Sequence, residues 1–222
     1  PMTAQPSIGR FVELYDELGK DGSEIISIHL MNSISGTVNA ARQAADITES
    51  TVTVVDSDFT SRSMGIIVRE AAKAAQEGKS AADILEVIES TRQRTKLYLT
   101  VLNLDNLIKG GRISRVMGAF SNLLNIKLFL EVINGKIEIV QKGRGLKSLQ
   151  KKYDEVFEEM KACPNGIQEI GIMHAGLNEF NQSQIDTLRE LFPDAKLTIV
   201  MTSPIIMSHT GVDAMAVTYL TK

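Results

Sequence analysis

The sequence is short of the features that would give it an easy functional reading. It has one cysteine, Cys163, so an intrachain disulfide and a cysteine-based zinc site are both excluded. Cys163 reads as an ordinary thiol near a helix end, and a reducing cytoplasm is the simplest setting. There is no excess of basic charge: 24 Lys and Arg stand against 27 Asp and Glu, a net charge of -3. That balance lacks the clustered basic surface a nucleic-acid partner needs. No stretch reads as a signal peptide, and no apolar run reaches the roughly 18–20 residues of a membrane helix, so stable membrane insertion is not expected. What remains is ordinary for a globular protein: 222 residues, 43% hydrophobic and 23% charged, enough to bury one large core or two small ones.

The first half alternates short apolar runs with helical patterns. Ser7 is placed to cap a helix that carries Phe11, Leu14, Tyr15 and Leu18 on one face and ends near Gly19. Strands are predicted over Glu24–Leu30 and Thr51–Asp56, and helices over Gly36–Ile47, Ser61–Gln76 and Ser80–Gln93. The last opens on a capping-box-like "SAAD". Such alternation implies crossovers and a parallel sheet.

The second half has another rhythm. Strand Lys96–Leu102 and helix Ser114–Leu124 lead into "KLFLEVINGKIEIVQ", where alternating runs flank Asn134-Gly135, the pair preferred by a two-residue type I′ turn. Helix Leu146–Lys161, strand Gln168–His174, helix Gln182–Leu191 and strands Lys196–Met201 and Ala214–Leu220 follow. Parallel first and antiparallel later predicts two domains, 1–95 and 96–222, with the boundary near Thr95. The fold class expected is α/β.

Four polar stretches stand out. "NSISGT" lies between the carboxyl end of a strand and a helix, where ligands gather in open α/β sheets. The Ser35 hydroxyl and the amides of Gly36 and Thr37 could face an anion there, or Ser35 could simply cap the helix. As a nucleophile Ser35 is poorly placed, because the positions two before and two after it hold Ser33 and Thr37 instead of glycine. "IKGGRIS" could form an amide nest for phosphate or a tight turn with Ser114 as a cap; it lacks the P-loop spacing. "QKGRGLKSLQKK" sets Arg144 between glycines, and a guanidinium suits carboxylate or phosphate. "SPIIMSHTG" places His209 in a Ser/Thr/Gly loop before the last strand, whereas His29 and His174 fall within or at the end of strands and read as packed. No paired carboxylates and no metal-ligand set accompany these groups, so they make a better anion receptor than an enzyme. Apolar neighbours, Ile34, Phe120, Leu124, Ile205, Ile206 and Met207, could wall a long apolar tail.

Taken together, "TAQPS", "SIHLMNSISGT", "VVDS", "LIKGGRIS", "LLNIK" and "SPIIMSHTG" resemble the DegV family, in order and spacing, over essentially the whole chain. The resemblance implies a two-domain fatty-acid-binding protein: an N-terminal α/β domain with a parallel sheet, a C-terminal domain on a largely antiparallel six-stranded sheet, and the ligand between them. The six strands counted in the second half agree. Because an isolated strand pair cannot bury both faces, and family members begin about sixty residues earlier with a further strand, the chain is identified as lacking that N-terminal segment. Carried over by motif, Thr3 and Ser35 are carboxylate-binding hydroxyls beside Gly36, and His209 supports their network. Arg144 is assigned to a partner kinase or the transferred phosphate. The implied role is non-catalytic, with no cofactor. The fatty acid is held while a separate ATP-dependent fatty acid kinase subunit phosphorylates its carboxylate. Two departures are Ala4 in place of serine, and Val212-Asp213 where the family often has Pro-Gly; Asp213 is expected to point away from the ligand. The alternatives are an acyl hydrolase or acyltransferase using Ser35, and a phosphate-binding α/β domain.

Overall fold

The computed structural model describes residues 2–112 and 125–222. The helix expected over Ser114–Leu124, with Phe120 and Leu124, lies outside the described residues.

Helix α1, Ile8–Leu18, starts where a hydroxyl can satisfy a free amide: Ser7 Oγ accepts from Arg10 N at 3.3 Å. It buries Phe11 and Tyr15. Strand β1, Ile25–His29, pairs in parallel with β2, Val52–Asp56, from Ile25↔Val52 to His29↔Asp56. Helix α2, Thr37–Ala45, joins them. One face of this two-stranded sheet gives Ile25, Val52 and Val54 to a core with α1 and with the alanines Ala40, Ala41 and Ala44 of α2. Small side chains let α2 lie close to the strands. On the same face Ser27 Oγ lies 2.7 Å from both the Tyr15 hydroxyl and His29 Nε2, and Phe11 meets the imidazole edge-on. Burial holds His29 below the usual histidine pKa, with the Asp56 carboxylate acting in the opposite sense.

The other face, Ile26, Ile28 and Val55, packs with α3, Ser61–Gln76, and α4, Ala81–Gln93. The expected capping box at α4 is present in both directions between Ser80 and Asp83. This core does not stop at the small sheet. It takes in Leu97, Val132 and Met173 from the second half of the chain.

That half is built on six strands: β3 (Thr95–Val101), β4 (Lys127–Ile133), β5 (Lys136–Gly143), β6 (Ile167–His174), β7 (Lys196–Met201) and β8 (Met215–Thr221). Their order is β5-β4-β3-β8-β6-β7, antiparallel throughout except for β6–β7. The β4–β5 hairpin closes on Asn134 and Gly135 with φ of 49° and 70°, both left-handed as a type I′ turn requires. Alternation along each strand divides the sheet. Tyr98, Phe129, Ile172 and Tyr219 point to an outer core under α6, Leu146–Lys161, and α7, Glu179–Leu191. Leu97, Leu99, Leu130 and Val132 point inward, toward the first half.

Among the described residues there are two further short helices, α5 (Asp105–Lys109) and α8 (Pro204–Thr210). The sequence reading has no helix at the first and a loop at the second. For α8 the boundary chemistry is in fact helical: Ser203 caps it, Pro204 occupies the first turn, and Gly211 ends it at φ 78°. The abundance of hydroxyls and glycine outweighed those signals.

Helix α3 joins the two halves with directional bonds. Glu169 on β6 is buried, and its carboxylate receives both Arg69 nitrogens, at 3.0 and 2.5 Å, with Arg62 3.6 Å away. Ser63 Oγ donates to Thr218 Oγ1 at 2.8 Å, and Thr218 donates to the Lys96 carbonyl at 2.7 Å. Gly171 leaves the space in which Arg62 lies, since a Cβ there would stand 2.5 Å from Arg62 Cδ. Stripping one partner from a buried pair costs about 3–5 kcal/mol. Arg69 is itself one-third exposed and Arg62 stays nearby. Arg69→Ala is therefore expected to lower unfolding stability by about 2–3 kcal/mol, read from urea denaturation, with Arg69→Lys recovering only part because it cannot form the forked contact. An unchanged midpoint would show that apolar packing alone holds α3 in place.

Candidate functional site

Between the inner face of the six-stranded sheet and the first half lies a cavity of ≈410 Å³. Its walls come from every direction the core does: Met31 and Ile34 after β1, Leu97 and Leu99 on β3, Leu130 and Val132 on β4, Ile137 on β5, Met173 on β6, Ile205 and Ile206 on α8, and Ala214 and Ala216 around β8. Among these walls stand a few polar groups: Thr3, Ser35, Thr37, Thr60, Ser61, Arg112, Thr202, His209 and Thr210. Glu131 also borders the cavity, but its carboxylate lies 3.8 Å from Lys96 Nζ. Volume and lining fall in the range of a small-molecule site.

The chain start forms one edge. Thr3 Oγ1 lies 2.7 Å from His209 Nε2, a contact between residues 206 apart in sequence. Gln5, two residues on, packs its side-chain amide against Gly36, where a Cβ would overlap its oxygen. Two residues of chain reach no more than about 7 Å, so Thr3–Gln5 brings the α8 histidine and the start of α2 to one corner. Gly36 thus makes room for Gln5, and it does not itself line the cavity. Ser35 does line it. Its Oγ lies 2.8 Å from Thr37 Oγ1 and accepts from Thr37 N at 3.3 Å. The hydroxyl therefore serves the helix start and borders the cavity at once. No histidine contacts Ser35 in the described bonds, and the imidazole of the corner is engaged by Thr3 instead.

His209 is held by α5. Asn106 Nδ2 donates to the Ser208 carbonyl at 3.2 Å, and Gly110 sits so close to the imidazole that a Cβ on it would overlap Nδ1. Burial, and next the positive charge of Arg112, lower the His209 pKa below the usual histidine value. The ring is neutral at pH 7. If its proton is on Nε2, it donates to Thr3 Oγ1 and leaves the threonine proton free for an acceptor in the cavity.

The glycine pair of "IKGGRIS" is a helix ending, where the sequence left both a phosphate nest and a turn open. The amides of Gly110, Gly111 and Arg112 donate to the carbonyls of Asn106, Ile108 and Leu107, and Gly111 takes φ 68°. Those amides are turned into the helix. The functional group that the motif does bring is one the sequence reading did not single out: Arg112, whose Nη1 donates to the Gly110 carbonyl at 2.8 Å while its side chain lines the cavity. An arginine straight after a helix-ending glycine pair was the available signal. Arg144 lies elsewhere, exposed between β5 and Gly145, which precedes α6. Asp213 stays clear of the cavity, beside Gly176, at a left-handed φ of 61° that aspartate tolerates.

Comparison with known proteins points to one family. The DegV family model, described as "Uncharacterised protein, DegV family", matches residues 1–222. A DegV domain-containing protein of Streptococcus pneumoniae is 40% identical over 217 residues, 98% of this chain and 77% of that protein. One from Listeria innocua is 40% identical over 222 residues, 100% of this chain and 78% of that protein. Among solved structures, that of DegV from Bacillus subtilis, described as a fatty acid binding protein, superposes with a TM-score of 0.87. It is 29% identical and covers 100% of this chain and 79% of its own. A fatty acid binding DegV family protein from Streptococcus agalactiae gives 0.87 at 28% identity, with 100% and 79% coverage.

Gly110 has an ordinary helical backbone, φ -77°, so alanine there meets chiefly His209 Nδ1, with the Asn106 carbonyl at 3.0 Å as a lesser contact. Gly110→Ala is expected to break the Thr3–His209 contact and cost about 1 kcal/mol. In a His209→Ala background the same change should cost clearly less, since only the Asn106 carbonyl contact remains, and the double-mutant cycle isolates the clash with the imidazole. Equal costs in both backgrounds would place the effect elsewhere.

Proposed function

This chain belongs to the DegV family, and from that premise we propose that its cavity holds a long-chain fatty acid, with the carboxylate at the Thr3–Ser35–His209 corner. The observation that carries the reading is the union of an apolar cavity with a hydrogen-bonded hydroxyl and imidazole at one edge. A carboxylate leaving water needs its lost hydrogen bonds replaced. The Ser35 and Thr3 hydroxyls donate to it, and His209 keeps Thr3 turned toward it. Gly36 contributes by seating Gln5 and so the whole Thr3–Pro6 segment. Arg112, in the wall near His209, adds the countercharge. Each buried methylene of the tail adds about 0.8 kcal/mol, so long chains outbind short ones.

The protein binds and does not cleave. Hydrolysis would require a base at Ser35 with a third group to orient it, whereas the described bonds join Ser35 to Thr37. In the role proposed here the bound acid is presented to an ATP-dependent kinase subunit in the cytoplasm, which phosphorylates the carboxylate. Arg144, exposed beside the start of a 16-residue helix, contacts that kinase or the phosphate it transfers. The 1–95 and 96–222 segments act as the two domains that close on the ligand.

Ser35→Ala is expected to weaken binding of a natural fatty acid by about 1.5–3 kcal/mol, the worth of a hydrogen bond to a charged group, without unfolding the protein. An unchanged affinity by titration calorimetry would leave Ser35 as a helix cap only. Arg144→Ala should slow acyl-phosphate formation in the presence of the kinase while leaving affinity for the free acid as it was. Equal losses in the two assays would move Arg144 into the acyl site.

A further inference from the structure

A second hollow, of ≈550 Å³, adjoins the acyl cavity at its polar end. Leu30, Thr60, Ser61, Thr202, Ile205 and Ile206 border both. The junction lies toward β6 and β7, across the sheet from β4, whose Leu130 and Val132 wall the region of the tail. From there the hollow runs between the first turns of α3 and the end of β7, and it reaches the surface at Met201, which is 67% exposed. Arg62 and Arg69 stand in its wall. Both pair with Glu169, and Glu70 pairs with Arg69 and Lys73, so three cations meet two carboxylates.

One group at the junction lacks a partner. Thr202 Oγ1 is buried and has no hydrogen bond among the described residues. The adjacent hydroxyl is already used, since Ser203 Oγ accepts from Ile206 N at 3.4 Å as the cap of α8. The position of Thr202 is fixed by its amide, which donates to the His174 carbonyl at 2.8 Å. Across the junction Thr60 precedes α3 without a side-chain bond to that helix. A buried hydroxyl left unpaired is costly, so a ligand that accepts from it is favoured.

Length separates the acceptors. Thr202 and His209 lie at opposite ends of α8, and a rise of 1.5 Å per residue sets them about 10 Å apart. A carboxylate joins donors no more than about 8 Å apart, through two C–O bonds and two hydrogen bonds end to end. Held at the corner, it falls short of Thr202. An acyl phosphate reaches about 3 Å further, through two more bonds of ordinary length.

We propose that Thr202 and Thr60 form a second anion subsite, which takes the phosphoryl group of an acyl phosphate while the Thr3–Ser35–His209 corner keeps the acyl oxygen. The inference rests on the kinase reading of the acyl site. The surface opening of the hollow admits the phosphoryl donor, and the excess of arginine charge favours the negative charge that phosphorylation adds. Apolar Met64 and Val200 beside the subsite strengthen hydrogen bonds made within it. Arg144 is left with the contact to the kinase itself.

The test compares two ligands on delipidated protein by displacement of a fluorescent fatty acid: palmitate, and its acyl phosphonate with a methylene in place of the anhydride oxygen. The wild type binds both. Thr202→Val keeps the shape of the side chain and removes the hydroxyl. It loses on the order of tenfold or more on the phosphonate, the worth of a hydrogen bond to a charged group, and much less on palmitate. Thr60→Ala shifts the ratio of the two affinities in the same direction. Equal losses on both ligands, no loss on either, or a wild type that binds palmitate and not the phosphonate would overturn the subsite. A wild type that binds neither would overturn the fatty-acid reading, and the subsite with it. No kinase enters the assay, so failure of acyl-phosphate formation with a kinase is a separate result that overturns the kinase reading alone.

Discussion

The cavity depends on a buried carboxylate, Glu169, and the helix that answers it. Two apolar surfaces facing each other across water tend to close until their side chains touch. The inner face of the six-stranded sheet and the underside of the first half are such surfaces, and they already share a core through Leu97, Val132 and Met173. Directional bonds limit how that closure proceeds. Arg69 and Arg62 fix α3 over β6, and Ser63 bonds Thr218 on the central strand β8. Charge and hydroxyl contacts have one good geometry, whereas apolar packing has many. With α3 so held, the space bounded by Met31, Leu99, Leu130 and Ala216 stays open.

The polar corner follows the same logic at smaller scale. Each element in it is short, and each is fixed by a neighbour from far along the chain. Thr3 is oriented by His209, Gln5 by the gap at Gly36, and His209 by Gly110 and by Asn106 through the carbonyl of Ser208. An arrangement of this kind forms only once segments far apart in sequence are in place, because closing a contact across 206 residues carries a large loop entropy. Its members are neutral or singly charged, and burial with Arg112 keeps His209 unprotonated. A ligand that brings one negative charge and its own apolar bulk completes it.

Much of the fold was legible because its signals are local. Asn134-Gly135 specifies a hairpin through backbone sterics, Ser7 and Ser80 mark helix starts, and α3 runs over the residues expected, Ser61–Gln76. The α8 helix was missed although Ser203, Pro204 and Gly211 frame it. Seven residues give too little periodicity to outweigh a loop-like composition. Ser35 and His209 stand out within their own loops, but Thr3 is nameable only through resemblance to a family, since nothing within "TAQPS" announces a partner at position 209. Gly110 and Glu169 were illegible for a related reason. A glycine that makes space for a distant imidazole looks like any turn glycine, and a glutamate in "IQEIGIMH" does not name the arginines on another helix. Arg112 is hard to read from sequence because the glycines beside it suggest free amides, which the helix itself consumes.

The central claim is an orientation: carboxylate at Thr3, Ser35 and His209, tail over the inner face of the six-stranded sheet. A crystal of the protein with palmitate brominated at its methyl end, measured at the bromine absorption edge, tests it most directly. The account predicts a single anomalous peak beyond Leu130 and Ala216, on the far side of the cavity from Ser35, with the carboxylate within hydrogen-bond distance of the Ser35 and Thr3 hydroxyls. A bromine beside Ser35, or ordered palmitate only outside the cavity, would contradict it.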